Sequence, residues 1–190
     1  MIDKAKIEKA TRLLLEGLGE DPDRGGLQGT PRRVAEMYQE IVGSKASDLA
    51  SIVAPITSDT HQEMVLVRDI TFHSLCEHHL LPFFGMAHVA YIPSKNGSIA
   101  GISKIARLVR AAASSLQLQE RLTSTIADTL VESLNPEGVL VLVQAEHMCM
   151  SMRGVRAPGS QVVTSAVRGI CLRNAASRAE VLALIEAPGA

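Results

Sequence analysis

The hydrophobic period of this chain switches at about residue 63. Beyond that point "EMVLVRDITFHS" and "FGMAHVAYIP" alternate as strands do. Helical spacing follows in "SKIARLVRAAASSL" and "QLQERLTSTIADTLVESLN". It gives way again to strand-like runs in "VLVLVQAEHMCMSMRG" and "SQVVTSAVRGICLR". The order strand, strand, helix, helix, strand, strand sets a hairpin on each side of a helix pair. It predicts an α+β domain, an antiparallel sheet with the helix pair on one face. A last helix covers "SRAEVLALIE", and Gly97 and Gly101 mark turns.

Ahead of the switch the pattern is helical, which divides the chain into an N-terminal helical region, residues 1–60, and a second domain, residues 61–190. Ile7, Ala10, Leu14, Leu15 and Leu18 give the first helix one apolar side. In "TPRRVAEMYQEIV", Thr30 suits the N-cap and Pro31 the first helical position; Val34, Met37, Tyr38, Ile41 and Val42 form the stripe. A short helical turn is expected in "ASDLASIV". Ser103 is the expected N-cap of the first helix of the pair, whose apolar face is Ile105, Leu108, Val109 and Ala112. Leu118, Leu122, Ile126 and Leu130 form that of the second.

A hydrophobic content of 46% in 190 residues supports a folded core. No apolar run approaches the ~20 residues of a membrane span, and the first residues lack a secretory signal pattern, so a cytoplasmic protein is expected. The net charge of -1, the absence of Trp and 3% aromatics argue against nucleic acid as a partner. Three cysteines, Cys76, Cys149 and Cys171, are too few for a disulfide framework in a reducing compartment. Cys171, in "RGICLR", reads as a core thiol.

"SLCEHHLLPF" gathers Cys76, Glu77, His78 and His79 in four positions. Cys76 and His79 are spaced Cys-x-x-His, which lets one tight turn aim a thiolate and an imidazole at one ion. Zinc favours that donor pair. On a strand running through "EHMCMSMR", His147 and Cys149 share a face. Cys149 then completes a Cys-His-Cys set, with His147 beside the metal. Three protein ligands leave a position for water, whose pKa zinc lowers to ~7. The same residues also suit plain burial of the thiols and structural hydrogen bonding of the histidines. Met148, Met150 and Met152 read as core or interface packing.

"CEHHLLPFFG", "AYIP", "GISKIARLV", "LQERLT" and "HMCMSMRG", together with "TPRRVAEMY", occur in the order and at the spacing of GTP cyclohydrolase I, and the chain resembles that family from about residue 7 to residue 186. The resemblance implies the tunnelling fold, with subunit sheets joined into a toroidal homo-oligomer, a decamer of two stacked rings with active sites between subunits. It implies conversion of GTP to 7,8-dihydroneopterin triphosphate and formate, the entry to folate or tetrahydrobiopterin. It implies zinc held by Cys76, His79 and Cys149, and so selects His79 over His78. His78 and His147 become the acid-base histidines, with His147 the main proton donor to the imidazole nitrogen of guanine.

Glu120 matches the family's guanine-binding glutamate, with Gln119 beside it; a carboxylate accepts together from guanine's ring N–H and its exocyclic amine. Lys104, Arg107, Arg153 and Arg33 are assigned to the triphosphate, Arg33 reaching a neighbouring subunit's site, and Ser103 to ribose or phosphate. Glu77 is expected to orient a histidine or to bond backbone. Against the enzyme stands a structural zinc or interaction module, which would use His78 or His147 as a fourth ligand. A nucleotide deaminase is disfavoured because its His-x-Glu and Pro-Cys-x-x-Cys signature is missing. A noncatalytic relative is disfavoured because the family's catalytic positions are all present.

Overall fold

A computed structural model describes residues 2–43, 48–57, 61–95 and 97–187. Residues 1–45 and 46–190 form two compact units. In the first, helix α1 (Lys4–Gly17) is capped by the Asp3 carboxylate on the Lys6 N–H, and it packs on α2 (Thr30–Val42). Gly29 holds the N-cap of α2, so Thr30 lies inside the first turn rather than capping it. The buried seam of α1 runs through Thr11, with Ile7 and Leu15 half-buried on the same side. Leu14 and Leu18 stay exposed, contrary to the expected stripe. Thr11 is buried without cost because its hydroxyl donates to the Ile7 carbonyl one turn back.

The second unit starts with a 3-10 turn, Ala50–Val53, within the expected helical segment; Ala46 and Ser47 of that segment lie outside the described residues. Strands β1 (Pro55–Thr57) and β4 (Ser98–Ala100) pair as a small antiparallel sheet that the sequence pattern did not suggest. The main sheet holds β2 (Val65–Cys76), β3 (Pro82–Ile92), β6 (Gly138–His147) and β7 (Val162–Gly169), each antiparallel to the next. A two-residue strand β5 (Leu116–Gln117) joins the β2 edge in parallel, giving the order β5-β2-β3-β6-β7. Helices α3 (Ile102–Ala113) and α4 (Gln119–Leu134) pack on one face, as the alternation predicts. Gly101, not Ser103, is the N-cap of α3.

Side-chain parity sets this face. Phe83, Ala87, Val89 and Tyr91 of β3 and Val139, Val141, Val143 and Ala145 of β6 meet Ile105, Leu108, Ile126 and Leu130 in one core. In β2 the parity breaks. Val65 and Val67 face the helices, and so do Ile70 and Phe72. A bulge at residues 68 and 69, with Asp69 at φ 59°, inserts the extra residue that keeps both halves of this long strand turned inward. Asp69 donates its N–H to Nδ1 of buried His88 on the opposite face.

That opposite face is partly covered. One-turn α6 (Ile170–Arg173) and α7 (Ala175–Glu186) follow β7, and Val181 and Cys171 pack there on Ala90 and Leu140. Cys171 is thus a core thiol, and burial raises its pKa. Arg68, beside the bulge, donates to the carbonyls of Leu184 and Ala187 at the end of α7, where a cation also suits the helix dipole. Among the described residues no helix is long and apolar enough to cross a membrane.

Ile126 is fully buried where α4 meets the sheet. Ile126→Ala is expected to lower unfolding stability by about 2–5 kcal/mol, read from the urea midpoint. Burial lowers the pKa of His88, against a smaller opposing pull from Asp69. Its unfolded-state value is about 6.5. The unfolded chain therefore takes this proton first, and stability is full above that pH and declines as pH falls below it. His88→Asn is expected to flatten that part of the melting-temperature profile between pH 7 and pH 5.

Candidate metal centre and active site

The strand register gathers the site at one end of the sheet. Leu75 pairs with Pro82, and Phe83 with His147, so the end of β2, the start of β3 and the end of β6 coincide. Past Cys76 the chain makes a tight turn, with the N–H groups of His79 and Leu80 both donating to the Cys76 carbonyl. Leu80, at φ 56°, reverses the chain into β3. This turn brings His79 back over Cys76.

Cys149 arrives differently from expectation. The strand stops at His147, and Met148–Ser151 forms a single helical turn, α5, because Met152 N–H bonds to the Met148 carbonyl. The shared-face argument for His147 and Cys149 therefore does not apply, since strand alternation has ended. Met148 and Met150 ride on the same turn, half-buried, and Met152 is exposed. Even so, the donor atoms of Cys76, His79 and Cys149 all lie within 4.8 Å of one another.

The chemistry of this donor set fits a divalent ion. The Cys149 thiol is pushed up, first by burial and then by the adjacent Cys76, while Arg153 pulls weakly the other way. A divalent cation held by these residues would offset both penalties, because it favours the thiolate. His79 is exposed at the rim, and its Nε2 lies 3.0 Å from Arg153 Nη1.

His147 lies beside this group and is held on two sides. Its ring stacks on Phe83 at 4.6 Å and 6° between planes, and its Nε2 is 2.7 Å from Gln119 Oε1. Burial lowers its pKa, and the nearby Glu120 charge partly restores it. Glu120 itself is exposed in the first turn of α4. Gln119 is not exposed beside it: at 1% exposure, its side chain is taken up by His147, two backbone carbonyls and Thr164. His78 stands exposed on the turn, its ring edge-on to His79.

Glu77 neither orients a histidine nor bonds backbone through its side chain. Its carboxylate forms a two-pronged pair with Arg121, at 2.7 and 3.0 Å. The Arg121 hydrogen bonds hold its carboxyl below the usual range. The pair ties the ligand turn to the start of α4, where Gln119 and Glu120 sit. No local pattern signals a partnership across such a separation in sequence, and the Phe83 stack was equally hidden.

The basic residues are not all brought here. Arg153 is. Ser103 and Lys104 occupy the opposite end of α3, and Arg107 its middle. The Ala100 N–H, just before that helix, donates to Tyr91 Oη at the far end of β3, whereas the Ala113 carbonyl at its close accepts from Ser74, near Cys76. Lys104 and Ala113 are thus about 14 Å apart along the helix axis at 1.5 Å per residue. Arg33 lies exposed in the first turn of α2, in the other unit.

Comparison with known proteins agrees with this constellation. The family model described as GTP cyclohydrolase I matches residues 7–186. The chain belongs to the GTP cyclohydrolase I family. It is 58% identical over 185 residues to the GTP cyclohydrolase 1 of Carboxydothermus hydrogenoformans, covering 97% of this chain and 96% of that one. Identity to the enzyme of Pelotomaculum thermopropionicum is also 58%, over 98% of both chains. To that of Bacillus pumilus it is 57%, over 97% of both. Matches of this extent span both compact units, so the helical N-terminal part belongs to the family as much as the sheet does.

Purified protein is expected to bind one zinc per chain at Cys76, His79 and Cys149. Cys149→Ala is expected to weaken that binding by more than roughly 100-fold, measured by competition with a chromophoric chelator.

Proposed function

We propose that this chain is a GTP cyclohydrolase I, opening the imidazole ring of guanine in GTP, releasing formate and rearranging the remainder to 7,8-dihydroneopterin triphosphate. The observation that carries the reading is the convergence of Cys76, His79 and Cys149, beside a half-buried, oriented histidine, in a chain of this family. Among the described residues the convergent donor group has three members, and His147 Nε2 is already engaged by Gln119. Both facts favour the enzyme over a structural zinc module with a fourth protein ligand.

Cys76, His79 and Cys149 would hold zinc, which when bound supplies a Lewis acid for activating water near neutral pH. Glu120 receives the guanine ring N–H and exocyclic amine, which fixes the base in orientation and selects it over adenine. His147, its pKa lowered by burial, exchanges protons with the imidazole nitrogen of the substrate as that ring opens. His78, exposed on its turn, assists there or at the later ribose stage. Arg153 sits where it meets the triphosphate or its neighbouring groups.

Ser103, Lys104, Arg107 and Arg33 complete the triphosphate site from other subunits. The placement of Ser103 and Lys104 at the far end of α3 from Ser74 and Cys76 supports that division for them. The outer edge of β7, and that of β2 from Val65 to Ser74, has no strand partner among the described residues. Such edges invite pairing with further copies, which supports a closed ring, the tunnelling fold and a homodecamer. In this reading the second unit is the catalytic domain, the helices of the first are an extension, and the enzyme works in the cytoplasm without nucleic acid or membrane partners.

Zinc-replete protein incubated with GTP is expected to release formate and to yield a pterin that fluoresces after oxidation, with both lost on chelation. His147→Ala is expected to lower kcat by roughly 10²–10⁴-fold. Folded, zinc-replete protein that yields neither product would overturn the assignment.

A further inference from the structure

Gln119 is buried, polar and fully committed, and its partners dictate which way its amide faces. Its Nε2 lies 3.0 Å from the Val143 carbonyl, 2.9 Å from the Val162 carbonyl and 3.1 Å from Thr164 Oγ1. Two backbone carbonyls accept and never donate, so the amide nitrogen must face them. Turning the amide over would set oxygen against oxygen twice in a buried place. Oε1 is therefore the atom that meets His147 Nε2 at 2.7 Å.

An amide oxygen only accepts. The proton in that contact must therefore belong to the imidazole, on Nε2. The surroundings leave no slack for another arrangement. Thr123 Oγ1 lies 2.7 Å from the backbone carbonyl of Gln119 and 2.6 Å from Thr164 Oγ1, so a chain of donors running from Thr164 through Thr123 to that backbone carbonyl accounts for both hydroxyls. The Phe83 ring fixes the imidazole plane from the other side.

We propose that Gln119 is a positioning residue: it locks His147 with Nε2 protonated, so that Nδ1 is the nitrogen that exchanges protons with the substrate. This rests on the reading of His147 as the proton carrier. The lock holds through the cycle, because Nε2 keeps its proton whether the ring carries one or two. The side chain of Gln119 is thereby spent within the protein rather than on substrate, since its hydrogen bonds go to Val143, Val162, Thr164 and His147.

Gln119→Met keeps the bulk and removes the acceptor. It is expected to lower kcat by roughly 10²–10³-fold with the KM for GTP within threefold of the parent, since a wrong tautomer impairs chemistry rather than binding. Zinc content and far-UV circular dichroism should match the parent. Q119M combined with H147A should be no slower than H147A alone. A raised KM at unchanged kcat would make Gln119 a substrate contact and overturn the proposal, as would losses that add in the double variant.

A second measurement needs no variant at the lock. Solid-state NMR of the zinc-loaded protein labelled with ¹⁵N-histidine, with the His147 signals found by their absence in H147A, reports which nitrogen bears the proton. A ring protonated at Nε2 supports the proposal, and a neutral ring protonated at Nδ1 overturns it. Parental turnover by H147A would instead remove the reading of His147 on which the proposal stands, whatever the tautomer.

Discussion

Two sulfurs held side by side are the constraint around which this site is built. Cys149 is pushed toward its neutral form by burial and by Cys76. Nothing in the local chain compels the two to meet. They meet because Leu75 is in register with Pro82, and Phe83 with His147. That register in turn follows from parity: a one-residue slip of β6 against β3 would turn Val139, Val141 and Val143 away from the helices and the core with them. The apolar pairing thus fixes the position of the thiols, and a bound cation would answer the electrostatic problem that their proximity creates.

Much of this was legible in the sequence because it is periodic or local. The change of period marked β2, β3, α3, α4, β6 and β7, and Cys76 with His79 sits within one turn. What escaped was set by side chains meeting across long stretches of chain. The bulge at Arg68 and Asp69 interrupts alternation without interrupting the strand, so Val67 and Ile70 share a face that simple counting denies them. The one-turn helix at Met148 replaced strand with helix in an apolar run too short for periodicity to decide. The partnership of Glu77 with Arg121 and the burial of Gln119 depend on where α4 lands on the sheet. Glu120 and Gln119 are neighbours in sequence, yet one faces water and the other the core. No composition rule separates them; helix geometry does.

That separation gives α4 two tasks at its first turn. The exposed carboxylate is free to meet a ligand. The buried amide is spent on the protein, and a buried amide is worth its desolvation only when all its bonds are made. Gln119 meets that condition through the carbonyls of Val143 and Val162, so the rigidity of the sheet passes to His147 through a side chain rather than through the backbone. The Glu77–Arg121 pair adds a tie on the solvent side, between the ligand turn and the same helix end.

Helix α3 poses the opposite problem. Its close is tied to Ser74, near Cys76, while its start, with Lys104, is tied through Ala100 to Tyr91 at the other end of the sheet, and Arg107 lies between. A straight helix cannot bring both ends to one point, and the strands it packs on are equally rigid. A triphosphate is highly charged, and its neutralisation needs cations in contact rather than a helix length away, because screening in water erases the benefit over about 10 Å. If one ligand engages both the metal group and these cations, they must come from different chains. Among the described residues the outer edges of β2 and β7 lack strand partners, and these are the elements through which chains would join in the assembly proposed above.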